Sequence, residues 1–291
     1  MSIEILPASD ALGAEVTGVD LSGPIDGDVA ALLRRAWLDY LVLVFRGQDI
    51  DQHGQLAFTR LFGQPGGVFS PRPQRGLDGE PLEPGIMMVS NIRRDGKPLG
   101  LAHDGEMWFH SDMCYDENPH QATLLYAIEI PQKGGNTLFA NMYTAYARLP
   151  EATKERIRGR TALQMHEYYR TDRPRVRDDM SDVRHFSHPV AIAHSETGRK
   201  ALYVNRLMTA RIDGMEEDES DALVDELLGA SEDPSIVYEH VWQVGDLVMW
   251  DNRCVTHART DFPETERRLL RRTTTEGTRP FETIEEYAQT V

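Results

Sequence analysis

The chain has 291 residues, with 31 basic and 47 acidic side chains and a net charge of −16. That sign argues against a general binder of phosphate backbones, so no nucleic-acid partner is expected. An anionic small molecule stays open, because a few arginines gathered in one place can outweigh the global charge. The two cysteines, Cys114 and Cys254, are too few for a disulfide framework and fit a reducing compartment. Residues 1–10 show neither a basic nor an apolar leader segment, and the apolar run at 40–45 is far short of the roughly 20 residues of a membrane span. A cytoplasmic protein with no membrane partner is expected.

In chain order, residues 12–23 read as a short strand ending in a turn. Residues 28–39 place Val29, Leu32, Leu33, Ala36 and Trp37 at helical spacing. The continuous apolar run 41–45 predicts a buried strand. Residues 51–62 return to helical spacing, with Asp51 as a candidate N-cap. Residues 63–97 are rich in Gly, Pro and Arg around one apolar patch at 86–89, and read either as an active-site lid or as a disordered surface loop. Short strands are predicted at 122–130, 137–140, 190–193, 201–204, 247–250 and 268–275, with helices at 140–158 and 216–228. Many short strands with few helices predict a mostly β fold, an antiparallel barrel or jelly roll carrying outer helices.

Two segments concentrate side chains with chemistry, WFHSD at 108–112 and WDNRCVTH at 250–257. Residues two apart on a strand share a face, so His110 and Asp112 can aim one imidazole and one carboxylate at a single point. A distant histidine would complete a two-histidine, one-carboxylate set, the arrangement that marks non-haem Fe(II) oxygenases. The pair alone is weak among ten histidines. His185 and His188 lack an intervening carboxylate, and His103 and Asp104 are adjacent and would face opposite ways. His53, His120, His166, His194 and His240 read as surface or hydrogen-bonded residues.

Taken together, the segments resemble the taurine/2,4-dichlorophenoxyacetate dioxygenase family of Fe(II)/2-oxoglutarate-dependent oxygenases. The resemblance runs through LGAEVTGVDLSG, VLVFRGQ, HSDMCYDENP, IPQKGGNTLFANMYTAYARLP, GRKALYVN and VGDLVMWDNRCVTH, in that order. Asn136 stands where the family has Asp after its paired glycines. The resemblance implies a double-stranded β-helix (cupin-like jelly roll) over residues 1–291 as one domain, with a lid-like insertion at about 63–105. It implies His110, Asp112 and His257 as Fe(II) ligands, and Thr137 and Arg268 as the clamp on the distal carboxylate of 2-oxoglutarate. It further implies O2 as co-substrate, succinate and CO2 as products, and a homo-oligomer. Arg272 falls where the family meets an acidic group on its substrate. The expected substrate is a small organic anion (an aryloxyalkanoate, a sulfonate or an amino acid derivative), hydroxylated or oxidatively cleaved.

Glu106 falls where the taurine branch presents an asparagine to substrate, and Asn91 can present its amide or brace a loop. Ser70 departs from the aryloxyacetate branch, where a lysine is expected. Arg72, Arg75, Arg93, Arg94 and Lys97, in or beside the insertion, serve either an anion or plain solvation. By strand parity Arg268 and Arg272 should face inward, and Arg267 and Arg271 outward to water. Two other functional classes share the His-Asp-His residues, a metal-dependent hydrolase and a catalytically silent metal-binding barrel. Neither needs the Thr137–Arg268 clamp.

Overall fold

A computed structural model describes residues 2–67, 75–94, 96–100, 105–167 and 172–289, apart from the side chains of 97 and 98. Ser70, Arg72, His103 and Asp104 lie outside the described residues. The first half runs β1 (Glu4–Pro7), β2 (Ala14–Thr17), α1 (Gly27–Tyr40), β3 (Val42–Phe45), α2 (Gln52–Arg60), β4 (Met87–Ser90), β5 (Arg93–Arg94), β6 (Lys97–Pro98), β7 (Met107–His110) and β8 (Ala122–Glu129). Next come β9 (Thr137–Asn141), α3 (Met142–Arg148), α4 (Glu151–Ile157), β10 (Thr161–Met165), β11 (His185–Pro189), β12 (Ala191–Ala193), β13 (Lys200–Leu202) and β14 (Thr209–Ile212). The chain continues through α5 (Glu217–Ser231), β15 (Val237–His240), β16 (Leu247–Asp251), β17 (Val255–Arg259), β18 (Leu269–Thr274) and α6 (Ile284–Ala288).

Two sheets carry the site. The major sheet has the order β1-β2-β3-β16-β8-β18-β4, and the minor sheet β15-β9-β17-β7. All their pairings are antiparallel except β2 with β3. The fold is mostly β and cupin-like, as expected from the sequence.

The continuous apolar runs follow from burial of the major sheet on both faces. Val42, Val44, Leu125, Val248, Trp250 and Leu270 turn inward and pack with Phe139 and Val255 of the minor sheet. The alternate residues Leu43, Phe45, Leu124, Tyr126, Leu247 and Met249 turn outward and pack with Leu33, Ala36, Trp37 and Phe58. Those four are the apolar stripes of α1 and α2, whose starts are capped by Asp26 and Asp51, the latter accepting from Gly54 N at 2.8 Å. Each such Leu or Phe contributes about 1.5–3 kcal/mol by burial.

Three expectations are corrected. The single helix at 140–158 is two: Asn141 ends β9 and caps α3, and Leu149-Pro150 interrupts the ladder before α4, because proline removes a donor and restricts the residue before it. The apolar patch within 63–97 is β4, an edge strand paired with β18. Arg271 does not face water. It lies under α2, donating from Nε to Gln55 Oε1 and from an amino group to Ile50 O, both at 2.7 Å, with its guanidinium over the Tyr126 ring. Parity placed it on the correct face, but that face is covered by a helix. Arg267 is exposed as expected and pairs with Glu129 at 2.6 Å.

Candidate active site

His110 ends β7, and its Cα is paired with that of His257 on β17. The ladder register therefore sets the two imidazoles side by side, with ring centroids 4.1 Å apart. Asp112 lies two residues on, in the turn after β7. One ligand-type atom from each of His110, Asp112 and His257 lies within 4.8 Å of the other two, and all three residues are buried. The His110 Nδ1 lies 2.9 Å from Trp108 O, so as a donor there it leaves Nε2 as the available lone pair. His257 Nδ1 is buried without a hydrogen-bond partner among the described residues.

Burial holds both imidazoles below the usual histidine range. Burial alone would raise the Asp112 carboxyl, but Arg272, His257 and His110 outweigh it and hold Asp112 well below the carboxylate range. All three groups are thus in the deprotonated form that a metal requires. Two neutral imidazoles, one carboxylate and an orphaned ring nitrogen in a buried cluster fit a divalent cation with open coordination positions.

The surroundings of Asp112 are ordered by hydrogen bonds. Thr123 donates to Asp112 Oδ2 at 2.5 Å, and Arg272 reaches the same oxygen at 3.1 Å. The Asn252 amide donates to Thr123 Oγ1 and accepts from the Trp250 indole, each at 2.9 Å. The Trp250 ring lies against His257, centroids 4.6 Å apart.

Thr137 begins β9, and Arg268 immediately precedes β18. Thr137 is 3% exposed and its Oγ1 accepts from the Trp242 indole at 3.0 Å, which leaves its own proton to donate. Arg268 is also 3% exposed. Its Nε donates to Gly135 O at 3.1 Å, and no carboxylate among the described residues pairs with it. Burial, and then the nearby Arg259 charge, push its pKa down to about 9. Gly134 and Gly135, at φ +75° and +67°, bring the preceding loop over this arginine, and a Cβ on Gly135 would sit 3.3 Å from Arg268 Cδ and Nε. Left-handed backbone of this kind favours glycine.

The other candidates are placed as follows. Asn91 has both amide ends engaged, donating to Glu266 O and accepting from Arg268 N, each at 2.9 Å. Glu106 is exposed, 3.4 Å from the Trp108 indole nitrogen. Arg75, Arg93 and Arg94 each donate to a backbone carbonyl within the insertion, at Gly79, Gly96 and Leu77 respectively. A second ligand-type cluster, His194, Asp251 and Cys254, is internally satisfied. Asp251 pairs with His194 at 3.0 Å and Arg253 at 2.7 Å, while His194 Nδ1 accepts from Glu196 N and Thr197 N. Thr123 and Trp242 carry no motif of their own, and only the strand pairings and a loop crossing reveal them.

A cupin-like fold with a buried His-Asp-His cluster, and a buried arginine that no carboxylate among the described residues pairs with, points to a metal-dependent oxygenase. Comparison with known proteins carries this further. The family model described as taurine catabolism dioxygenase TauD, TfdA family matches residues 4–274. The chain is 36% identical over 250 residues to the alpha-ketoglutarate-dependent 2,4-dichlorophenoxyacetate dioxygenase of Burkholderia sp. (strain RASC), with 82% of each protein covered. It is 34% identical over 297 residues to pentalenolactone F synthase of Streptomyces avermitilis, with 94% of each covered. The crystal structure of AAD-2 in complex with Mn(II) and N-oxalylglycine superposes with a TM-score of 0.79 at 29% identity, covering 96% of this chain and 99% of that one. The chain belongs to the TauD/TfdA family and is an alpha-ketoglutarate (2-oxoglutarate)-dependent dioxygenase.

Proposed function

We propose that this enzyme oxidises a small organic anion at an Fe(II) centre held by His110, Asp112 and His257. Bound there, Fe(II) supplies O2 activation coupled to oxidative decarboxylation of 2-oxoglutarate, giving succinate and CO2. The observation that carries the reading is the buried guanidinium of Arg268 with no carboxylate partner among the described residues. A buried cation of this kind is costly unless an anion arrives to pair with it. Arg268 and Thr137 hold the distal carboxylate of 2-oxoglutarate, the first as a fork and the second as a hydroxyl donor. Asn91 braces that clamp through the Arg268 backbone N–H.

Arg272 is the substrate-side cation. It reaches Asp112 at 3.1 Å, and its Nε is buried without a partner among the described residues, so a carboxylate or sulfonate brought there gains a charge-assisted donor. Relatives acting on aryloxyalkanoates favour that class first, with sulfonates and amino acid derivatives as rivals, for which Glu106 offers a carboxylate to an amine. The free, buried cysteines support a reducing cytoplasm. The family resemblance supports a homo-oligomer, which light scattering on the purified protein tests.

The test is succinate formation by anaerobically Fe(II)-reconstituted protein, given 2-oxoglutarate, O2 and a panel of aryloxyalkanoates, sulfonates and N-substituted amino acids. Succinate that requires O2, rises with one panel member and is lost in His110→Ala and Arg268→Ala is the expected result. Product without O2 would instead establish the hydrolase. A folded, iron-loaded protein that forms no succinate under any condition would sink the oxygenase reading and raise the hydrolase and the silent barrel in its place.

A further inference from the structure

Asp112 presents two oxygens, and among the described residues both of its protein contacts fall on one of them. Thr123 Oγ1 lies 2.5 Å from Oδ2 and the Arg272 amino group 3.1 Å from the same atom. No hydrogen bond or ion pair from the described residues reaches Oδ1. The Thr123 contact is the end of a chain built by strand register. Thr123 on β8 is the cross-strand partner of Trp250 on β16 and of Thr274 on β18, and Asn252 follows two residues after Trp250.

The direction of this chain is fixed by chemistry. An indole N–H can only donate, so the Asn252 atom 2.9 Å from Trp250 Nε1 must be its oxygen. The other end of the amide is then the NH2 group, which donates to Thr123 Oγ1 at 2.9 Å. Thr123 receives that proton, so its own hydroxyl proton points onward to Asp112 Oδ2. Ser111 holds the turn in place by donating to Asn252 O at 2.8 Å. Thr123 and Asn252 are 0% and 2% exposed, so water does not compete.

We infer that Thr123 and Asn252 are positioning residues, a one-way hydrogen-bond relay, polarised by the Trp250 indole, that reserves Oδ1 of Asp112 for the metal. The inference rests on Asp112 being a metal ligand. Partners of this kind orient a ligating carboxylate and limit the charge it keeps on the oxygen not given to the metal.

The test is the affinity of the purified full-length protein for Mn(II), read by the free-Mn(II) electron paramagnetic resonance signal, alongside thermal melting of the metal-free protein. Thr123→Val keeps the shape and removes the donor, and about 10- to 100-fold weaker Mn(II) binding is expected. Thr123→Ser restores the donor and should recover the affinity. Asn252→Asp keeps the shape, but its carboxylate accepts from both neighbours and draws the Thr123 proton away from Asp112. It should weaken Mn(II) binding as Thr123→Val does, although the threonine is still present. A purely structural role would lower the melting temperature of these variants and leave the affinity unchanged, which overturns the relay. Loss in Thr123→Val without loss in a folded Asn252→Asp overturns its polarity. If Asn252→Asp does not fold, the valine and serine variants decide. Asp112→Ala separates the two readings: Mn(II) affinity that survives this change removes Asp112 as a ligand, whereas its loss beside an unaffected Thr123→Val removes the relay alone.

Discussion

Replacing Arg268 by methionine should make the metal-free enzyme more stable and useless. The guanidinium is 3% exposed, faces no carboxylate among the described residues, and is pushed down by burial to about 9. That fall opposes the buried charge by about 5 kcal/mol. Methionine removes the charge but gives up the Nε–H donated to Gly135 O and some packing, together costing about 2–4 kcal/mol. The net expectation is a gain of about 1–3 kcal/mol, or a melting temperature higher by about 2–8 °C. Melting is followed by scanning fluorimetry at pH 7, with and without Mn(II) and N-oxalylglycine. The wild type should gain stability from N-oxalylglycine and Arg268→Met should not. A variant that melts several degrees lower and still responds to N-oxalylglycine refutes the idea that Arg268 is kept, at a cost in stability, to meet an anion.

Arg271→Leu should behave oppositely. Loss of its donors to Gln55 Oε1 and Ile50 O strands two buried acceptors, and urea unfolding should show about 2–4 kcal/mol of destabilisation with 2-oxoglutarate affinity unchanged. Gly135→Ala forces a left-handed φ on alanine and places its Cβ 2.9 Å from Pro131 Cγ and 3.3 Å from Arg268, so the KM for 2-oxoglutarate in a succinate assay should rise about tenfold, equivalent to about 1.4 kcal/mol. His188 is buried, donates to Asp116 O at 2.8 Å, and is lowered by burial to about 4. Its unfolded value is about 6.5, so the unfolded state binds more protons between these limits; its contribution, about 3 kcal/mol, is complete above pH 6.5 and declines as pH falls toward 4. Urea unfolding across that range should show a shallower acid dependence in His188→Gln.

His110 and Asp112 were legible as a pair two apart in the sequence, although only His110 is on β7 and Asp112 lies in the turn that follows it. His257 was not readable from spacing, since its approach depends on β17 pairing with β7 across more than a hundred residues. Apolar runs such as 41–45 announced buried strands, and Asp51 announced a helix start. The major sheet's two coverings were not announced. A run buried on both faces looks the same whether the second face meets another sheet or a helix, and so Arg271 was read as solvated. Thr137 and Arg268 came from family likeness, whereas the Trp242 indole that frees the threonine proton comes from a loop with no pattern to mark it.

Strand β18 also bears on how this enzyme can change over time. Within five positions at its start, Arg268 just before the strand faces the proposed co-substrate, Arg271 anchors α2 on the opposite face, and Arg272 reaches Asp112. Losing or gaining one residue between them would turn the strand's side chains over, sending the anchor inward and the substrate cation under the helix. Length changes are therefore barred here, while single replacements at position 272 act on the site through Asp112 and leave the strand register and the Arg271 anchor in place. New substrate preferences in this lineage should arise by exchange of letters along β18, and by insertions and deletions only in the long connection before β7.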